Sequence, residues 1–194
     1  RWSMEPIGKD AFVQSYLTGS GSFDVGGDIL VQSLHNYSQT GSSQDTDGAH
    51  ADASAPGGSL IGGTGASADA NSSATLSSRL GTDFDVSADG HVTIRSLAHN
   101  ESNALTSGIL GGIASVGASM AESNSNGETR AYVQGSILKA GSLTVEAVGK
   151  DNAKVDAFAV AGGVLSGFGA KAEAFSAPIV KAYLDANADP RVLG

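Results

Sequence analysis

The amino-acid sequence predicts an all-β protein, a parallel β-helix (β-solenoid) built from about three imperfect repeats of 50–63 residues. Three observations predict this fold. Gly, Ala and Ser make up 83 of the 194 residues and aromatic residues only 6%, which excludes the usual core of large side chains on a few helices. Apolar residues alternate with a period of two, as they do in strands. Similar segments also recur along the chain.

The first recurrence appears when the sequence is aligned with itself at a 63-residue shift. Residues 11–34 then align without a gap on residues 74–97, with their apolar alternation in phase. The identical positions are Ala11/Ala74, Leu17/Leu80, Gly27/Gly90, Ser33/Ser96 and Leu34/Leu97. Because β-branched residues occupy many of the alternating positions, each copy is expected to form strands.

Two further copies follow. Residues 141–147 repeat, 51 positions after the second copy, the Gly-x-apolar-x-apolar-x-small pattern of residues 27–33, and residues 182–184 start a fourth copy. We therefore divide the chain into an N-terminal extension or cap (1–10), repeat 1 (11–73), repeat 2 (74–130), repeat 3 (131–181), and the start of a further repeat or a subunit-joining tail (182–194).

Within each repeat, corners and loops are also predicted. A Gly-x-Leu-x-Gly or closely similar pattern occurs at 58–62, 108–112 and 163–167, and we interpret it as tight corners. Segments rich in Ser, Asn, Asp and Gly are expected to be variable loops, namely 36–56, 100–106 and 122–129. Small inward-facing residues would let a narrow coil close.

Charge and composition exclude several functions. A net charge of -9 argues against a nucleic-acid partner and against an anionic membrane surface. The absence of cysteine excludes disulfides and thiolate metal sites. The most apolar runs, 108–121 and 158–172, are shorter than the roughly 20 residues that span a bilayer, so no membrane insertion is expected. Since the chain opens with Arg1 and shows no signal segment, we expect a fragment or a processed product.

One stretch resembles a known family. Residues 131–147 read AYVQGSILKAGSLTVEA and are followed by an Ala-alternating block and by Gly162-Gly163-Val164-Leu165. This stretch is similar to one unit of the very large repetitive bacterial surface proteins of the filamentous-haemagglutinin-like and leukotoxin-like filamentous adhesin type. The resemblance implies a secreted, extracellular protein at the cell surface, an elongated parallel β-helix that acts as a stalk or adhesive fibre. It implies no catalytic residues.

Candidate chemistry is sparse. Asp45, Asp47 and Asp52 resemble a calcium loop, because alternate carboxylates before a Gly can surround a hard cation, although the terminal Glu of an EF-hand is missing. Calcium is the only cofactor that the sequence suggests. The alternative is that these aspartates lie in a solvated acidic loop that binds no metal. Near pairs of carboxylates, at Asp83/Asp85 and Asp24/Asp28, leave a polysaccharide-cleaving enzyme as a remote alternative. We expect that this protein is not an enzyme.

Aromatic residues and chain ends suggest the partners. Phe12, Tyr132 and Tyr183 are expected to share one repeat position, where they either seal the core or an edge or form a ligand face. A solenoid leaves unpaired strands at both ends, so we predict self-association into fibres or stacking on neighbouring repeats. The predicted function is a structural stalk segment. The alternative is an adhesin repeat that binds a glycan or a cell-surface partner through one face.

Overall fold

The computed structural model describes residues 7–44 and 48–192 and shows an all-β protein with parallel strands, as predicted. In this part of the chain there is no helix, and so none that is long and apolar enough to cross a membrane. The strands are β1 (Ile7–Leu17), β2 (Gly21–Val25), β3 (Ile29–His35), β4 (Ala49–Gly58), β5 (Ile61–Leu80), β6 (Phe84–Ala88), β7 (His91–Gly111), β8 (Ala114–Ser125), β9 (Glu128–Val133), β10 (Ser136–Ala140), β11 (Ser142–Gly162), β12 (Leu165–Ser176), β13 (Ile179–Leu184) and β14 (Asp189–Val192).

The strands form three sheets, and the chain visits them in turn. In sheet A, β1 pairs with β5, β8 and β9 lie end to end along β5, and β12 and β13 continue on β8 and β9. Sheet B is short and has the order β14-β10-β6-β2. In sheet C, β3 and β4 lie end to end along β7, which pairs with β11. Every pairing between these strands is parallel, so each strand lies beside the strand from one circuit earlier or later.

The register of these pairings is regular. Ala11 pairs with Ala74, and β3 pairs with β7 at the same offset of 63 positions, so these partners are the residues that the sequence alignment matches. The offset is 53 positions between β4 and β7. It is 51 positions between β7 and β11. The offset changes along β7 because the chain between β3 and β4 is longer than the part of β7 that lies between their two pairing regions.

Side chains alternate between buried and exposed along the long strands. Where all three sheets meet, the interior holds large apolar side chains, including Leu80, Val86, Ile94 and Ile137. Farther from sheet B, sheets A and C approach so closely that alanines from both sheets form the core, namely Ala49, Ala51, Ala68, Ala70, Ala104 and Ala121. The high Ala content is thus explained by an interior that leaves room only for a methyl group.

Several serines also point into the interior and form hydrogen bonds across it. The Ser78 hydroxyl donates to the backbone carbonyl of Arg95 over 2.8 Å, and the Ser96 hydroxyl donates to that of Arg130 over 2.6 Å. Ser102 and Ser123 bond to each other at 2.8 Å. Such pairing lets polar side chains be buried without a large desolvation cost.

Several boundaries differ from the sequence prediction. Residues 100–106 lie inside β7, and 122–129 are taken up mostly by the end of β8 and the start of β9, so neither is the expected loop. Every second residue of these segments faces inward, and Ser102, Ser123 and Ser125 find hydrogen-bond partners across the interior, which is why a polar composition did not mark a loop here. Residues 7–10 belong to β1 rather than to an N-terminal extension, and residues 1–6 lie outside the described part.

The predicted corners lie where sheet C passes into sheet A, at the turns after β4, β7 and β11. Each turn stacks directly on the turn of the preceding circuit. A Cβ added at Gly112 would overlap the carbonyl oxygen of Ser59, and one added at Gly163 would overlap that of Gly112. Glycine is required at these two positions because the stacked backbones leave no space for a side chain.

We expect Gly112→Ala to lower the free energy of unfolding by about 2 kcal/mol or more, because the new methyl group must push two stacked turns apart. The neighbouring Gly111→Ala is the matched control, since a Cβ there meets no atom within 4 Å, and it should change the free energy by less than about 1 kcal/mol. Urea unfolding followed by circular dichroism measures both. Equal effects of the two substitutions would contradict this account of the turns.

Candidate functional site

A row of four side chains crosses the outer face of sheet A. Tyr16 pairs with Arg79, Arg79 with Tyr132, and Tyr132 with Tyr183. The four residues come from four successive circuits of the chain and point away from the interior. We call this row the tyrosine–arginine ladder. It runs through the stack of strands from one end to the other.

The ladder is held by ring stacking and by a cation. The Arg79 guanidinium carbon lies 5.2 Å from the centroid of the Tyr16 ring, and its Nη1 donates to the Tyr132 hydroxyl over 3.2 Å. The rings of Tyr132 and Tyr183 are parallel within 1°, with centroids 5.0 Å apart. Tyr132, with neighbours on both sides, is 9% exposed, whereas Tyr16 is 52% and Tyr183 38% exposed. Only the two terminal members therefore keep an open ring face.

The expectation that Phe12 shares this row is wrong. Phe12 pairs with Thr75, Thr75 with Glu128, and Glu128 with Ile179, so Phe12 lies in a separate row, exposed on the same face. Along each strand the two rows are separated by an even number of positions. A shift by an even number of positions keeps every side chain on the same face of the sheet, so the alternation of buried and exposed residues could not reveal the error. Residues Tyr16 and Arg79 were missed, although the self-alignment of the sequence already matches them with each other.

Burial sets the ionisation of the last ring. The pKa of Tyr183 lies above the ordinary tyrosine value, mainly because burial disfavours the charged phenolate and also because Tyr132 and Asp185 lie nearby. The positive charge of Arg130 acts in the opposite direction and lowers the Tyr183 pKa. The ring is therefore neutral at physiological pH and can stack without repulsion.

Both ends of the strand stack are open. The N-terminal end consists of β1 to β4 and the C-terminal end of β11 to β14, and in the described part of the chain each of these strands pairs only toward the interior of its sheet. The sequence has no Lys or Arg from position 10 to 78, so the N-terminal end is acidic. The C-terminal end mixes six acidic residues with five basic ones, the latter being Lys150, Lys154, Lys171, Lys181 and Arg191.

The predicted calcium ligands are only partly visible. Asp45 and Asp47 lie outside the described residues. Asp52 is exposed on β4 and faces His50 at 3.9 Å. Among the residues that can be described, no group of three or more His, Asp or Glu side chains is placed to hold a metal ion.

One of the carboxylates in the near pairs, Asp28, has a structural partner. It accepts a hydrogen bond from the backbone N–H of His91 over 2.7 Å. Asp89, four positions after Asp85, lies 2.5 Å from the Lys139 ammonium, and this hydrogen bond raises the lysine pKa above its usual value. Both contacts join one circuit to a later one, so these side chains contribute to the stack itself.

The segment after β3 forms a compact turn over the outer face of sheet C. Gln44 donates its N–H to the carbonyl of Asn36, and Gly41, with a φ of 89°, donates to that of Ser38. Beneath this turn lies an open groove of about 300 Å³ lined by Tyr37, Thr40, Gly41, Ser43, Arg95, Leu97, Glu146, Val148 and Lys150. Arg95 is fixed at the groove by two hydrogen bonds to Gln32 Oε1 and one to the Gln39 carbonyl.

Comparison with protein-family models, with characterised proteins and with solved structures finds no match for this chain. The ladder, the open ends and the groove are therefore the features of the molecule that bear on its function.

We expect the protein to lose stability as the pH rises above about 10. The Tyr183 pKa is raised on folding, so the unfolded chain releases this proton first, and the stabilisation present below the unfolded pKa is lost as the pH rises through the folded value. Unfolding midpoints between pH 8 and 12 measure the loss, and Tyr183→Phe should reduce it. An identical pH profile for Tyr183→Phe would refute the assignment to this ring.

Proposed function

We propose that this chain is a non-catalytic structural segment of a secreted bacterial fibre or surface adhesin. It forms a rigid parallel β-solenoid stalk of about three imperfect repeats, which stacks end to end with further copies or repeats. The regular offsets of 63, 53 and 51 positions between paired strands support one coil following another. The resemblance of residues 131–147 to filamentous adhesins of the bacterial surface agrees with this role and with an extracellular location.

The observation that carries the proposal is the match between the two ends. A second copy can continue the sheets in the same register. The last residue of each row, at the C-terminal end of one copy, then lies beside the first residue of the same row, at the N-terminal end of the next copy. Apolar residues then meet apolar residues in several rows, among them Tyr183 with Tyr16, Ile179 with Phe12, Leu184 with Leu17, and Pro190 with Phe23.

Backbone groups gain from the same contact. The edge strands present N–H and C=O groups that have only water as partners, and a second copy would pair them as the internal strands are paired. Adding a strand in this way buries the exposed rings of Tyr16 and Tyr183 against each other and extends the ladder.

Opposite charges in sheet B favour head-to-tail stacking. In sheet B, Asp24 pairs with Ser87, Ser87 pairs with Lys139, and the row ends beside Arg191. Head-to-tail stacking therefore brings Asp24 of one copy to Arg191 of the next. Two N-terminal ends would instead bring acidic residues together, which is unfavourable for a chain of net charge -9.

A second candidate function is binding of a glycan or another cell-surface molecule. The groove beneath the turn after β3 favours it, because Tyr37, Glu146 and Lys150 offer an aromatic ring and both charges at one open surface. The face of Tyr132 and Tyr183 supports binding less, because Tyr132 is buried between its neighbours and only one face of the Tyr183 ring is left open for sugar stacking.

The test is fibre formation by the purified protein, followed by electron microscopy and sedimentation velocity. We expect the wild-type chain to elongate with increasing concentration. Tyr183→Ser should reduce elongation at least about tenfold, because the terminal ring of the ladder is lost and a neighbouring ring stays exposed. Tyr37→Ser, which alters an aromatic residue outside the ladder and outside the paired strands, is the matched control and should elongate normally.

The outcomes separate the two candidates. Equal elongation of Tyr183→Ser and wild type, or a wild-type chain that stays monomeric at about 100 μM, would refute end-to-end stacking through the ladder. Binding on a glycan array that Tyr37→Ser abolishes and Tyr183→Ser retains would support the groove.

A further inference from the structure

An apolar ridge lies along the narrow edge of the molecule, where the chain passes from sheet C into sheet A. It comprises Leu60, Ile61, Ile113, Val116, Val164 and Leu165, which come from three successive turns and the adjoining start of β8. These six side chains are 55–84% exposed. An apolar patch of this kind on a soluble protein marks an interaction surface.

The surroundings of the ridge carry no charge. Residues 53–68, 102–121 and 157–170, which form the three turns and the strand ends beside them, contain no Asp, Glu, Lys, Arg or His. All of the net charge of -9 therefore comes from residues outside these three segments. Two copies of this acidic chain can approach each other at the ridge with the least repulsion.

The fold holds the ridge in place. Leu165 donates its backbone N–H to the carbonyl of Ile113 over 2.9 Å, and Ile113 donates to that of Leu60 over 3.2 Å. The glycines beside them pack directly on the preceding turn. The ridge residues cannot turn inward, because sheets A and C meet at this edge and the nearby interior is filled by Leu110, Ser115 and Ser119. Little conformational entropy is lost when a partner covers such a surface.

We propose that a second copy of this chain covers the ridge, so that two stalks associate side by side. Three of the ridge residues, Ile61, Val116 and Leu165, line a shallow groove of about 380 Å³ together with Ala114 and other small residues. A two-fold axis along this edge places the ridge of each copy, with its groove, against that of the other, so that the same surface patch is used by both subunits of a symmetric dimer.

The area is sufficient for a weak dimer. Six side chains of this size offer roughly 300–600 Å² per copy, and both copies together approach the lower range of specific interfaces. A lipid surface fits less well, because the open strands of both ends would lose their water partners in a bilayer. This lateral contact goes beyond end-to-end stacking and uses none of the residues of the ladder.

The test is sedimentation velocity of an Ile113→Asp/Val116→Asp variant. Both side chains are more than half exposed and lie in the middle circuit, away from both open ends, so the fold and end-to-end stacking should be unaffected, while two carboxylates at the ridge should weaken dimerisation at least about a hundredfold. Leu30→Asp/Leu138→Asp, which changes two exposed leucines on sheets C and B, is the matched control and should dimerise as the wild type does.

Measuring all variants in the Tyr183→Ser background separates this proposal from end-to-end stacking. A concentration-dependent doubling of mass that the ridge variant alone loses supports the lateral contact, whether or not fibres form. Equal association of ridge and control variants, or a monomer throughout, overturns it. Co-sedimentation of the monomeric wild type with phosphatidylcholine vesicles, lost in the ridge variant, would also overturn it in favour of a lipid surface.

Discussion

The structure depends on one constraint, which is that every circuit of the chain must place its strands in register on the circuit before. Parallel pairing fixes the distance between neighbouring strands, and a residue such as Ala74 then has a partner of fixed identity, Ala11, on the adjacent strand. Small side chains follow from this. Ala68 and Ala104 fill an interior too thin for leucine, Ser78 bridges to the opposite sheet, and Gly112 allows one turn to lie on another.

The fold class and part of the register could be predicted from the sequence because they are carried by local periodicity and by identical residues. Leu34 and Leu97 are identical, are matched by the 63-residue self-alignment of the sequence and are partners in sheet C. The three turns could be located as well, since stacked backbones require glycine. What the sequence could not supply was the exact row of each aromatic residue, because an even shift along a strand preserves the alternation, as Phe12 illustrates.

Polar strands were the second limit of prediction. Ser102 and Asn100 lie in a segment whose composition is typical of a loop, yet both are buried in β7. Their partners, Ser123 and Asp151, come from distant parts of the chain, so no local pattern announces them. The surfaces relevant to function also arise only from stacking. The ladder combines residues from four circuits and the apolar ridge from three, so neither is visible in a single circuit.

The register between circuits is tested most directly by engineered disulfides, since the chain contains no cysteine. Gln14 pairs with Ser77 on the outer face of sheet A, whereas Ser78 faces the interior. Neighbouring parallel strands lie within the Cα distance that a disulfide spans. Gln14→Cys/Ser77→Cys should therefore oxidise to an intramolecular disulfide, and Gln14→Cys/Ser78→Cys should keep its free thiols. Preferential oxidation of the second pair, or of neither, would contradict the parallel stacking on which the account depends.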